Sequence, residues 1–217
     1  LSKHTDSMVC VCKKKLVAAN LLFDRGVDVI LSDDGLQHYT LGRDIEFAVV
    51  SSNRGFGNRY LLPAGPLRER IERLDSLDLL IINRKQIDQD LNIKNIISFE
   101  ILNREVKNIH DGEVRPMEDF VNRDILLIAG IGDPDALQEK LINLDINVES
   151  IDIADHDTAD LSLIDDIKSR TIFLTPKDLV KYSKDDLPRE TWELIPEMSI
   201  DHSEEQILIR QIQGIME

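Results

Sequence analysis

Two adjacent carboxylates, Asp33 and Asp34, close the short apolar run Val27-Asp28-Val29-Ile30-Leu31-Ser32 and lead into Gly35-Leu36-Gln37-His38-Tyr39. Hard carboxylate oxygens at a strand end can hold Mg²⁺ beside a nucleotide triphosphate. An acidic turn after a strand explains the same residues without a metal, since Asp-Gly is common turn chemistry. His156 is flanked by Asp155 and Asp157. Those carboxylates favour the imidazolium and can orient the ring, which suits a group that takes a proton from a hydroxyl. The structural alternative is a helix-entry turn capped by Asp157 or Thr158. Arg54, Arg59, Arg68, Arg70 and Arg73 lie in and beyond a Gly/Pro-rich loop, and guanidinium forks match phosphate oxygens. Their alternative is a solvated basic face partnered by Glu69 and Glu72. Gln37 and His38 complete the candidate substrate- and phosphate-binding set with Arg54 and Arg68; His38 reads equally as a packed side chain.

Weaker signals surround these. Lys177 and Asp178 open a helix, where Asp suits the helix dipole and Lys177 can reach a phosphate or simply face solvent. Gly130 and Gly132 form a lone GxG, short of the full dinucleotide fingerprint. Cys10 and Cys12 share one face of an expected strand and read as buried reduced thiols, because no second pair of soft ligands supports zinc. The chain contains no GxxxxGK[ST], so a Walker-B-like pair stands without a phosphate-cradling P-loop.

The elements that must position these residues alternate. Val9–Cys12 and Val27–Leu31 read as parallel strands around a helix over Lys13–Arg25, with Gly26 as its stop. A third strand is expected at Ile45–Val50, a helix at Ile71–Leu77 and a fourth strand at Leu79–Asn83. Residues 84–95 are polar with a helical flavour. Ile96–Ile101 and Gly112–Met117 read as two extended pieces of a connector over 96–119. A second α/β pattern follows: strand Ile125–Ala129, then a turn in which Asp133 caps a helix begun by Pro134 and running to about Leu144. Next come strand Val148–Ile153, helix Leu161–Lys168 and strand Thr171–Leu174. A helix opens at Thr175 and stops before Pro188, and a last strand (Trp192–Ile195) and helix (Ser203–Ile212) end the chain. Alternation of this kind predicts a mostly parallel sheet covered on both faces. The domains expected are 1–95, the connector, and a smaller α/β domain over 120–217.

With 217 residues and a 42% hydrophobic fraction the chain can bury a real core, and no run approaches the length of a membrane span. The first 70 residues carry 10 Lys+Arg against 8 Asp+Glu, and the remainder 16 against 33, within a net charge of -15. The acidic part argues against nucleic acid, and the first part is better placed to meet an anionic ligand or membrane surface.

Four segments together resemble the tetraacyldisaccharide 4'-kinase family. They are Ser32-Asp33-Asp34-Gly35-Leu36-Gln37-His38-Tyr39; Arg54-Gly55-Phe56-Gly57-Asn58; Leu61-Leu62-Pro63-Ala64-Gly65-Pro66-Leu67-Arg68-Glu69; and Asp155-His156 with Thr175-Pro176-Lys177-Asp178. The resemblance implies an α/β fold: a P-loop NTPase-like α/β/α sandwich, truncated at its N-terminus, plus a smaller α/β/α domain. It implies transfer of the γ-phosphate of ATP, with Mg²⁺, to the 4'-hydroxyl of an acylated glucosamine disaccharide 1-phosphate in lipid A biosynthesis. The expected place is peripheral, at the cytoplasmic face of the bacterial inner membrane. Asp33 and Asp34 match the family's metal-side pair, and His156 its hydroxyl-activating histidine. Arg68 matches a cleft-facing position. Pro176 stands where many relatives have Glu. The family's P-loop, membrane-contacting helix and histidine-pairing Asp are expected upstream of residue 1, so this chain alone is expected to be inactive. The competing reading is a non-catalytic binding module of the same fold; a GxG oxidoreductase is a weaker third.

Overall fold

A computed structural model describes residues 5–51, 55–83, 95–151, 153, 158–161, 164 and 166–214. The chain divides into two compact units, Leu1–Ser98 with Asp201–Glu217, and Phe99–Ile200.

In the first unit, helix α1 (Lys15–Phe23) leads to parallel strands β1 (Phe47–Ser51) and β2 (Leu79–Asn83), paired from Phe47↔Leu79 to Ser51↔Asn83. The helix expected over Ile71–Leu77 forms as a 3-10 helix over Ile71–Ser76, ahead of β2. The core is small: Ala48, Leu77, Leu80 and Ile82, with Leu36, Val50 and Leu74 packed against it. Helix α4 (His202–Gln213) groups with this unit, and Ser98 Oγ donates to the Glu204 carboxylate at 3.0–3.1 Å.

The strands expected at Val9–Cys12 and Val27–Leu31 do not form, so the βαβ unit read there is corrected. Val11 is 94% and Leu31 88% exposed, and α1 has no buried residue. Among the described residues nothing pairs with either segment, and an apolar run without a partner has no ladder to satisfy its backbone. Cys12 is exposed and Cys10 half-buried, both free, so the expected burial of the two thiols also fails.

The second unit is better packed. Its strands run in the order β3-β8-β7-β5-β6, with β4 paired to β3 off this path. The strands are β3 (Ile96–Asn108, entered from the first unit), β4 (Val114–Pro116), β5 (Asp124–Ile128), β6 (Asn147–Ile151), β7 (Thr171–Leu174) and β8 (Thr191–Ile200). Pairs β5–β6, β5–β7 and β7–β8 are parallel; β3–β8 and β3–β4 are antiparallel. Side chains alternate across the sheet. Ile125 and Leu127 enter one core with Val106, Phe120, Phe173 and Trp192, while Leu126 and Ile128 enter another with Ile172 and Leu174. Phe120 meets both Phe173 and Trp192 edge-on at 5.1 Å, a favoured aromatic geometry.

Helix α2 (Pro134–Ile142) starts as expected, with the Asp133 carboxylate accepting from Ala136 N at 3.1 Å. The helix opened by Thr175 is a single turn, α3 (Pro176–Leu179), followed by a 3-10 turn at Lys184–Asp186. Of the helix expected over 161–168, the described part holds only a 3-10 turn at Ile167–Ser169. The polar stretch 84–94 lies outside the described residues.

Candidate functional site

Asp33 and Asp34 lie in a turn rather than at a strand end. Asp34 adopts a left-handed backbone, φ 49°, which Asp tolerates better than most residues. Both are exposed, and their carboxylates bond to no other described residue; Lys15 Nζ donates to the carbonyl of Asp33. The turn is held from behind. Leu36 packs into the β1–β2 core. His38 N donates to Gly35 O at 2.9 Å, and Leu41 N to His38 O at 3.0 Å. The His38 imidazole makes no hydrogen bond to a described residue. Gln37 Nε2 donates to Glu69 Oε1 at 2.8 Å and Tyr39 OH to Glu69 Oε2 at 2.7 Å. The amide expected to bind substrate therefore joins the 32–39 turn to the Leu67-Arg68-Glu69 segment.

The Glu69 carboxyl is held below its ordinary value, first by the Tyr39 hydrogen bond and further by Gln37, Arg73 and Arg43, against the effect of burial. The Tyr39 phenol is correspondingly raised, chiefly by that same bond to Glu69.

The glycine-punctuated loop after β1 bonds to itself. Leu62 N donates to Leu67 O at 2.9 Å, Gly65 N to Leu61 O at 3.0 Å and Asn58 Nδ2 to Ala64 O at 2.9 Å. A Cβ at Gly65 would stand 2.1 Å from Asn58 Oδ1, and one at Gly57 2.7 Å from Pro66 Cγ, so both positions exclude a side chain. At the loop's foot an open depression of about 440 Å³ is lined by Arg59, Tyr60, Leu61, Ala64, Arg70, Ile71 and Glu72.

The five arginines separate. Arg73 is taken by carboxylates: its Nη2 lies 2.5 Å from Glu46 Oε2 and its Nε 3.5 Å from Glu69 Oε2. That is the structural alternative for this residue, with Glu46 as a partner that the sequence did not suggest. Arg68 and Arg70 are exposed, and their guanidinium groups bond to no described residue. Arg54 and the triplet Asp155-His156-Asp157 lie outside the described residues.

In the second unit Thr175 caps the single turn of α3, its Oγ1 accepting from Asp178 N at 3.3 Å. The Asp178 carboxylate is fully buried and accepts from Gly130 N at 2.9 Å and Thr175 Oγ1 at 2.6 Å, with Lys181 Nζ at 2.8 Å. The GxG turn after β5 is thus tied to the turn after β7.

Among the described residues no cluster of three or more His, Cys, Asp or Glu could hold a metal. Two free carboxylates are nevertheless what Mg²⁺ takes from a protein when phosphate and water supply its other oxygens, so the Asp33–Asp34 pair fits that ion.

Parallel strands with an acidic turn and a glycine-rich loop beside them define an α/β unit. The solved structure of LpxK from Aquifex aeolicus, crystallised in complex with ATP, matches with a TM-score of 0.61 at 23% identity, over 84% of this chain and 56% of that one. The family model described as tetraacyldisaccharide-1-P 4'-kinase matches residues 1–214. The tetraacyldisaccharide 4'-kinase of Colwellia psychrerythraea is 38% identical over 217 residues, 94% of this chain and 61% of that protein. That of Aliivibrio fischeri is 35% identical over 199 residues, 90% of this chain and 58% of that protein. The chain belongs to the tetraacyldisaccharide 4'-kinase family. It spans about three-fifths of the length of these relatives.

Proposed function

We propose that the protein carrying this chain phosphorylates the 4'-hydroxyl of an acylated glucosamine disaccharide 1-phosphate, using ATP, in lipid A biosynthesis. The observation that carries this reading is the Asp33–Asp34 turn. Its carboxylates bond to no other described residue, while Gln37, Tyr39 and Arg43 are turned inward to hold it. Asp33 and Asp34 are the residues that would hold Mg²⁺, which when bound neutralises charge on the nucleotide phosphates. The Arg68 side chain is exposed and bonds to no described residue, which leaves the guanidinium available to a phosphate. Arg54, Gln37 and His38 complete the substrate side, with Gln37 acting through its bond to Glu69. His156 takes the proton from the attacking hydroxyl, with its flanking carboxylates favouring the imidazolium so formed.

The work is done at the cytoplasmic face of the inner membrane by peripheral attachment. Among the described residues no helix is long and apolar enough to cross a membrane. Because the 217-residue chain contains no GxxxxGK[ST], it alone turns over no ATP.

The test is the full-length protein assayed with ATP and the lipid disaccharide. His156→Ala is expected to lower kcat by about 10²-fold or more. Asp33→Ala is expected to abolish turnover at low Mg²⁺. Wild-type turnover in both variants would remove these residues from the mechanism, and no turnover by the unmutated full-length protein would leave a non-catalytic binding module of the same fold as the correct reading.

A further inference from the structure

We infer that Arg43 is a positioning residue for the Asp33–Asp34 pair, acting through a closed ring of side chains that runs Arg43–Glu46–Arg73–Glu69. The inference rests on the reading of that pair as a metal site.

Arg43 Nη1 carries two hydrogens, and both are used on the backbone that follows Asp34. They go to Gly35 O at 3.1 Å and Leu36 O at 2.9 Å. Gly35 O has a second donor in His38 N, whereas Leu36 O depends on Arg43. The same nitrogen lies 2.8 Å from Glu46 Oε1. With its hydrogens spent, it meets Glu46 as a charge only, and Glu46 Oε1 accordingly has no hydrogen-bond partner among the described residues. Glu46 Oε2 faces Arg73 Nη2 at 2.5 Å, and Arg73 Nε faces Glu69 Oε2 at 3.5 Å. Glu69 returns to the starting turn by accepting from Gln37 and Tyr39. Arg43 also sits 5.8 Å from the centre of the Tyr39 ring, within cation–π range.

The turn is therefore gripped at both ends, by its carbonyls at 35 and 36 and by its side chains at 37 and 39. The four charged side chains are only 15–25% exposed, so solvent screens them less than a surface pair. What the ring holds is the backbone immediately after Asp34, whose left-handed φ of 49° persists only if its surroundings impose it. Freed from Arg43, the turn would spread its two carboxylates over many arrangements, and a divalent ion would find the pair less often. Outer groups that orient metal ligands typically matter by about 10–100-fold in affinity.

The test is Mn²⁺ titration of the full-length protein, with free Mn²⁺ read from its EPR signal and the thermal midpoint measured alongside. Arg43→Gln is expected to weaken Mn²⁺ binding by about tenfold or more. Arg115→Gln is the matched control. Arg115 pairs with Glu113 through two 2.8 Å bonds and lies 4.9 Å from the Trp192 ring centre, so its loss lowers the midpoint as well. It belongs to the other compact unit, and Mn²⁺ affinity is expected to stay at the wild-type value. The double variant Asp33→Asn, Asp34→Asn separates the two levels of the inference. Wild-type Mn²⁺ binding there overturns the metal reading of the pair. Loss of binding there, with wild-type affinity in Arg43→Gln, overturns the role of Arg43 alone, as does equal weakening in Arg43→Gln and Arg115→Gln. If Arg43→Gln does not fold, Arg43→Lys is judged by the same titration, because a compact ammonium keeps the charge but not the fork.

Discussion

Val27–Leu31 and Asp124–Ile128 are both short apolar runs rich in Val, Ile and Leu. The second is β5, an interior strand of its sheet, and Ile125 to Ile128 are at most 1% exposed. The first forms no ladder, and its Val29, Ile30 and Leu31 are 41%, 38% and 88% exposed. Local composition is nearly the same; the difference is the company. β5 has β6 on one side and β7 on the other, and a strand is stabilised through cross-strand neighbours and the face it buries. The turn after Val27–Leu31 is held instead by Leu36 and by ionised side chains reaching in from 43, 46, 69 and 73. One region is ordered by packing, the other by directed polar bonds.

The sharpest way to break that contrast is to remove the buried polar node of the packed region. Asp178→Ala strips Gly130 N, Thr175 and Lys181 of a shared acceptor inside the fold. It is expected to cost about 3 kcal/mol, measured by denaturant unfolding. A cost near zero would mean that the apolar cores alone order this unit.

The polar region is expected to show itself in pH dependence. Glu69 has a folded-state pKa below its ordinary 4.5. Its contribution to stability is therefore complete above that value and lost as pH falls through the lowered folded pKa. Tyr39 is raised above 10.0, so its contribution is complete below that value and lost as pH rises through the raised one. Following phenolate absorbance, Glu69→Gln should bring the Tyr39 titration back toward 10.0. An unchanged titration would show that the 2.7 Å bond does not govern the turn.

The smallest effect is expected at a surface pair of the packed region. Arg104 and Glu197 lie 3.7 Å apart and are 67% and 55% exposed. Arg104→Ala should change unfolding free energy by no more than about 0.5 kcal/mol. A larger change would show that ionic ordering is not confined to the first unit.

Much of the second unit was legible because its signals are local. The continuous apolar run of Ile125 to Ile128 and the Asp133–Pro134 helix start need only neighbours in sequence. Thr175 was legible as a cap, but the length of the helix behind it was not: Lys177 to Lys181 carry helical spacing, and the chain leaves the helix after Leu179. In the first unit the same kind of local reading failed at Val9–Cys12 and Val27–Leu31. Amphipathic pattern states what a segment can bury, not whether anything arrives to cover it.

The sequence by itself determined the residue types at the site and the family. Asp33, Asp34, the arginines and the two glycine-rich segments are recognisable wherever they fall in space, and the family model matches over residues 1–214. Only the tertiary structure decided which of those groups are spoken for. Glu69 bonds to residues 32 and 30 positions away, and Arg73 reaches Glu46 across 27. Contacts of that span leave no periodic trace in the chain, because they depend on where the turn, β1 and the 3-10 segment come to rest. For that reason Gln37 and Arg73, alike in the sequence to the candidate residues beside them, are bound within the protein, while the side chains of Arg68 and the two aspartates bond to no described residue.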